Sequence, residues 1–291
     1  MTAVAETNDP AAQGRTAQSP AEESTTPPAR LRHLIITVYG LYARHDGGWL
    51  SVATLIRLLA DIRIDEPAAR SAISRLKRRG ILESRRHGGA AGYQLSAEAQ
   101  AILHEGDERI FRRRRAAAAD GWVLAIFSVP ESERHRRHVL RSELARLGFG
   151  MVAPGVWIVP AYPQDTTAQT LRRLGLDGYA DLFRAEHLAF GDPAAKIRRW
   201  WDLDELERQY QAFIGAHQRA LEDGQLSGPE ALASYVRLLT DWRRLPYLDP
   251  GLPAELLPAA WVGIRAADLF FSLRERLEEP ARAYARNVTS G

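Results

Sequence analysis

The chain has 291 residues, about twice the usual single-domain length, and its 45% hydrophobic and 26% charged residues suit two or three folded units with buried cores. Zero cysteines exclude a disulfide framework, a cysteine nucleophile and a thiolate-bound metal. No apolar run approaches the roughly 18 residues of a membrane span and the start of the chain lacks a secretory apolar segment, so a cytoplasmic protein without membrane contact is expected.

The net charge of +3 is unevenly spread. Of 39 basic residues only Lys77 and Lys196 are lysine, and arginine's planar fork suits phosphate and guanine. Residues 31–96 carry 11 basic and 5 acidic side chains, whereas residues 200–291 carry 10 and 14. A basic front and an acidic rear predict a nucleic-acid module followed by a unit with a different task.

Residues 1–29 hold almost no large apolar side chain and predict a disordered tail. Leu31, Leu34, Ile35, Val38, Leu41 and Tyr42 then recur at helical spacing, up to Asp46-Gly47-Gly48. Ser51 caps a second helix with Val52, Leu55, Ile56 and Leu59 inward. Asp65-Glu66-Pro67 opens a third, with Ala69, Ala72, Ile73 and Leu76 buried and Gly80 as its stop. Residues 81–86 and 93–95 read as two strands joined by a flexible glycine-rich connection. Three helices followed by such a hairpin is the winged helix-turn-helix order. A linker helix is expected from about Ser96 to Ala119, running into Arg112–Arg115.

Beyond it the period changes. Residues 122–129 form a continuous apolar strand, 134–147 a helix, 151–152 and 156–159 two strands, 166–174 a helix and 182–188 a last strand. This β-α-β-β-α-β order predicts a ferredoxin-like domain. From Lys196 onward the reading is helical, with one helix through Trp200, Trp201, Leu203, Leu206, Tyr210 and Phe213, a second through Leu232–Trp242, a proline-rich loop, and a last helix through Phe270 and Leu277. The fold class is therefore α+β. Its units are a tail at 1–29, a winged helix-turn-helix DNA-binding domain at 30–96 and a linker helix at 97–119. A ferredoxin-like domain at 120–195 and a helical C-terminal domain at 196–291 complete it.

On the third helix, Arg70, Ser71, Ser74, Arg75 and Arg78 fall opposite the apolar stripe, a polar face that fits a major groove. Arg85, Arg86 and His87 on the hairpin would meet the neighbouring backbone or minor groove. Ser74-Arg75-Leu76-Lys77 matches a Ser-x-x-Lys nucleophile pattern without the companion motifs it needs. His135 and His138 lie one helical turn apart but lack further metal ligands nearby in sequence. No metal and no cofactor is expected. Packing explains most of the C-terminal aromatics, while Trp157, Trp200, Trp201 and Tyr210 are candidates to line a pocket for an apolar or aromatic ligand.

Several segments together resemble the PaaX-like family of transcriptional regulators, repressors of phenylacetic acid catabolism. They are Thr37-Val38-Tyr39-Gly40, the Arg70–Leu76 segment, Gly155-Val156-Trp157, Trp201-Asp202-Leu203, and Asp249-Pro250-Gly251-Leu252-Pro253 with Leu257-Pro258 and Trp261. The resemblance implies a central domain similar to Cas2 nucleases and a homodimer on a palindromic double-stranded operator. It also implies release by an acyl-CoA effector such as phenylacetyl-CoA. Cas2 nucleases end their first strand in aspartate, whereas this one ends Ser128-Val129-Pro130-Glu131, so the resemblance implies a dimerising or scaffolding unit and a non-enzymatic regulator. A metal-dependent nuclease on the central domain, and a regulator answering to a protein partner or another aromatic ligand, are the alternatives.

Overall fold

The computed structural model describes residues 27–44, 47–112, 115–161, 164–188, 190–221 and 226–290. The expected tail lies outside the described residues up to position 26, while 27–29 already belong to the first helix. Arg113 and Arg114 of the arginine run, and Asp46, also lie outside them.

The first unit runs α1 (Pro27–Tyr42), β1 (Trp49–Ser51), α2 (Val52–Asp61), α3 (Glu66–Arg78), β2 (Leu82–His87) and β3 (Ala90–Leu95). Its antiparallel sheet has the order β1-β3-β2. Helix α3 begins where expected because the Asp65 side chain accepts from the Ala68 amide at 2.8 Å and Pro67 fills the first turn. It stops in a Schellman motif, with the Gly80 amide on Lys77 O at 2.9 Å and the Ile81 amide on Leu76 O at 3.0 Å. Gly80 takes φ +70°, which glycine adopts without strain. Helix α2 closes with the same bond pair on Ala60 O and Leu59 O, but there Arg63 occupies the left-handed position at φ +63°.

The hairpin is tighter than the sequence suggests. Ala90 and Ala91 pair with His87 and Arg86, so the strands run to a two-residue turn of Gly88 and Gly89, with φ of +54° and +82°. Two positive φ values define the primed turn that matches strand twist. Strand β1, too short to show periodicity, adds to the other edge of β3. Helix α4 (Ala97–Phe111) follows after the Ser96 cap. It ends eight residues before the expected Ala119: Arg112 is extended, at φ −113° and ψ 133°, and only a short 3₁₀ turn forms at Ala118–Asp120.

The central unit has the expected order: β4 (Trp122–Phe127), α5 (Arg134–Arg146), β5 (Gly150–Ala153), β6 (Val156–Pro160), α6 (Gln164–Arg173) and β7 (Ala180–Ala185). Its four strands pair antiparallel in the order β5-β6-β4-β7. One face of the sheet, with Val123, Ala125, Trp157 and Val159, packs on Leu140 and Leu144 of α5 and Leu171 of α6. Strand β7 begins and ends earlier than the expected 182–188, at Ala180 and Ala185.

The C-terminal unit is helical: α7 (Pro193–Trp200), α8 (Leu203–His217), α9 (Gly228–Trp242), α10 (Leu245–Leu248) and α11 (Val262–Ser290). The single helix expected through Trp200 and Phe213 is two. Asp202 breaks it by capping the Glu205 amide at 2.9 Å, and Trp201 between the helices is extended. The described residues hold two buried clusters. One fills the central unit; the other runs without interruption from Ile35 and Leu55 of the first unit into Tyr235, Phe270 and Leu277 of the C-terminal helices. First and last units therefore share a core, which the order of segments along the chain did not suggest.

Candidate nucleic-acid interface and a neighbouring cavity

Helix α3 turns Ala69, Ala72, Ile73 and Leu76 inward, which forces its polar residues onto the opposite face. Arg70, Ser71, Ser74 and Arg78 are exposed there and Arg75 is half-buried. Two of the arginines are held in place along the helix. Arg70 bonds Glu66 through Nη2 at 2.7 Å and Nε at 2.8 Å, and Arg75 Nη1 donates to Ser71 Oγ at 2.6 Å. Lys77, absent from the sequence-derived set, is exposed on the same surface with its ammonium 6.0 Å from the Tyr93 ring. It lines a concavity of about 350 Å³ with Val52, Arg70, Ile73, Ser74, Arg78 and Tyr93. Its position, three residues after Ser74 and seven after Arg70, was the available signal.

Arg85, Arg86 and His87 lie side by side on β2 and are exposed. Arg86 Nη2 donates to the Gly89 carbonyl at 2.9 Å across the turn, and Arg85 pairs with Glu83 at 3.3 Å. Trp49, unnoticed in the sequence, braces this strand: its indole N–H donates to Arg85 O at 3.3 Å and its ring lies 5.5 Å from that of His87. The brace explains Gly92. A Cβ there would run into the Leu50 carbonyl and lie 2.5 Å from Trp49 Cε2. Tyr39 of α1 supports the sheet from inside, its hydroxyl donating to Tyr93 O at 3.1 Å.

A cavity of about 710 Å³ opens where α4, the central unit and the C-terminal unit meet. That is within the size range of sites for drug-sized ligands. Its buried wall includes Tyr210, Trp242, Leu147 and Gly263, and it carries the arginines 109, 112, 115, 146 and 173. Arg109 donates to Pro246 O at 2.8 Å and lies 5.0 Å from the Tyr247 ring. Asp249 binds two neighbours through Oδ2, Arg115 at 2.9 Å and the Tyr210 hydroxyl at 2.8 Å, while its Oδ1 accepts the Gly251 amide at 2.8 Å. Burial, reinforced by Asp249, holds the Tyr210 phenol well above the usual tyrosine value.

Helix α4 connects this cavity to the first unit. Asp107 pairs with Arg44, just past α1, at 2.8 Å; Ile110 O accepts the Trp242 indole N–H at 3.0 Å. Phe111 stacks on Phe270 with the Arg274 guanidinium 4.6 Å from its own ring.

Of the four candidate pocket residues, the structure brings only Tyr210 to the cavity. Trp157 is buried in the central core. Trp200 and Trp201 pack with Trp122, at 6.5 and 6.3 Å, and the Trp201 indole donates to Gly148 O at 2.9 Å. These rings fasten the C-terminal unit to the central sheet. His135 and His138 lie exposed on α5, and no group of three or more His, Cys, Asp or Glu positioned to hold a metal occurs among the described residues. Ser74 and Lys77 belong to the polar face of α3. Among the described residues no helix is long and apolar enough to cross a membrane.

Comparison with known proteins accounts for the three units in order. Residues 30–99 match the family model for PaaX-like protein, 115–197 the PaaX protein central Cas2-like domain, and 201–287 the PaaX-like protein C-terminal domain. The chain is similar to the transcriptional repressor PaaX of Escherichia coli (strain K12), with 28% identity over 262 residues that cover 86% of this chain and 81% of that protein. In fold it is similar to the uncharacterized protein Rv0674 from Mycobacterium tuberculosis, with a TM-score of 0.57 and 24% identity over 90% of this chain and all of that one. With its three units matched one after another, the chain belongs to the PaaX-like family.

Proposed function

We propose that this protein is a non-enzymatic transcriptional repressor of a catabolic operon. Its first unit, residues 30–96, acts as a winged helix-turn-helix with α3 in the major groove and the β2–β3 hairpin as its wing. The observation that carries this reading is the face of α3: Arg70, Ser71, Ser74, Lys77 and Arg78 all exposed, beside a braced strand presenting Arg85, Arg86 and His87. Arginine contacts of this kind position a helix through phosphates and read guanine edges bidentately. The similarity to a transcriptional repressor supports the same conclusion. A homodimer on a palindromic operator follows from the family resemblance, since a two-fold pair of recognition helices reads two half-sites one helical turn apart.

Release of DNA is assigned to an acyl-CoA effector such as phenylacetyl-CoA, bound in the cavity between the central and C-terminal units. Aromatic side chains in its wall suit the acyl group and the arginines suit phosphate. Because α4 lines the cavity and is tied to Arg44, a ligand that prefers a shifted α4 would move the recognition helices out of register with the operator. Gel retardation of upstream DNA of the surrounding gene cluster, with and without phenylacetyl-CoA, tests both parts. Retardation relieved by the thioester but not by free CoA is the expected result, and no retardation at low salt would refute the reading.

A further inference from the structure

The central unit carries a second cationic surface, apart from α3 and the hairpin. In 13 residues α5 holds five arginines and two histidines against one carboxylate, Glu143. Three of the arginines are engaged. Arg136 bonds Glu133 at 3.1 Å, Arg137 bonds Glu131 at 3.0 Å, and Arg146 bonds Glu143 at 2.7 Å. Arg134, His138 and Arg141 stand at i, i+4 and i+7, so they share one stripe of the helix. All three are exposed, and none of their side chains has a hydrogen-bonding or ionic partner among the described residues. Arg136, two residues on from Arg134 and so on the opposite side of the helix, donates to the Gly175 carbonyl at 3.1 Å, just past the end of α6.

A solvated surface ordinarily mixes both signs of charge. A like-charged stripe repels itself and gains from a polyanion laid along it. Seven residues of helix advance roughly 10 Å, about three phosphate steps of one DNA strand. Arginine is the side chain that grips phosphate with two donors. A membrane surface fits less well, because interfacial helices need an apolar face and the apolar side of α5, Leu140 and Leu144, is already buried against the sheet.

We propose that this face of α5 is a second and sequence-independent contact with duplex DNA, gripping phosphates that flank the segment read by α3. The proposal rests on the DNA-binding reading above. Its test uses the full chain and a duplex isolated by that chain from a random-sequence pool, prepared as the protected core and as the core extended by about one helical turn at each end. Anisotropy titrations across a salt series would compare the wild type with a variant carrying Arg134→Gln and Arg141→Gln.

On the extended duplex the salt slope of log K should be shallower by about 2 in the variant, at about 0.9 per phosphate contact. On the core both proteins should bind alike, and the matching double lysine variant should recover most of the slope. Equal slopes on the extended duplex would overturn the proposal. So would a larger loss on phosphatidylserine vesicles than on DNA, which would assign the face to a membrane. Failure of the wild type to bind either duplex would instead overturn the DNA-binding reading itself, and this proposal with it.

Discussion

The Thr240 hydroxyl donates to that of Thr37 across 2.8 Å, with both side chains buried and 203 residues apart in sequence. Thr37 in turn donates to His33 O at 2.9 Å, so a chain of hydrogen bonds ties the C-terminal helix α9 to α1 of the first unit. Tyr284 on Asp61, at 3.0 Å, and Arg237 on Ile62 O, at 2.9 Å, make the same junction on α2. The units at the two ends of the chain are thus one packed body.

Replacing Thr240 with valine keeps the shape and removes the donor. Thr240→Val should lower unfolding free energy by about 1 kcal/mol in urea. The double variant Thr37→Val/Thr240→Val should cost less than the sum of the two single changes, because neither hydroxyl is then left without its mate. Strict additivity would mean the two groups do not interact.

On β3, Gly92→Ala forces its methyl against the Leu50 backbone and the Trp49 ring. Overpacking of this kind costs about 1–3 kcal/mol. Thermal unfolding should show the loss, and Trp49→Ala combined with Gly92→Ala should recover less than all of it, since the carbonyl clash remains.

His33 is held in its neutral form, its pKa lowered to about 4 by burial and then by Arg243, Arg32 and Arg244 around it. The unfolded chain therefore binds a proton near pH 6.5 that the folded chain refuses until about pH 4. Folding stability from this group is full above pH 6.5 and declines as pH falls toward 4. Urea midpoints at pH 7 and pH 5 should drop further for the wild type than for His33→Gln; equal drops would show that His33 titrates alike in both states.

Asp249 serves Arg115, Tyr210 and the Gly251 amide together, which gives the Asp-Pro-Gly-Leu-Pro segment its physical reason. Asp249→Asn leaves the half-buried Arg115 without its counter-charge. The expected loss is about 1–3 kcal/mol, measured by denaturant unfolding. A neutral outcome would mean the ion pair contributes little at the cavity wall.

Much of this was legible along the chain where local chemistry decides the outcome. Asp65, Pro67 and Gly80 bound α3, and the alternation of apolar runs announced the order of the central unit. The end of α4 was not legible, because Ala116–Ala119 favour a helix locally, whereas the fold draws Arg115 to Asp249 and the Ala116 amide to Gly251 O at 2.9 Å. The cavity joins residues such as Arg109 and Pro246, 137 positions apart, and such a meeting leaves no periodic trace. Composition alone makes Trp200 and Trp201 candidates for a pocket wall, but indoles serve packing equally well, and here they clamp two units.

On the proposed function, the exposed face of α3 lies on nucleotides. Anisotropy titration of a duplex from the upstream DNA of the surrounding gene cluster, with wild type and Arg75→Ala at fixed salt, tests it most directly. A loss worth about 1–3 kcal/mol of specific binding, with random-sequence binding nearly unchanged, is the expected outcome for a base-reading arginine. Equal affinity of both proteins for the specific duplex, together with equal affinity of Lys77→Ala and Arg78→Ala, would contradict it.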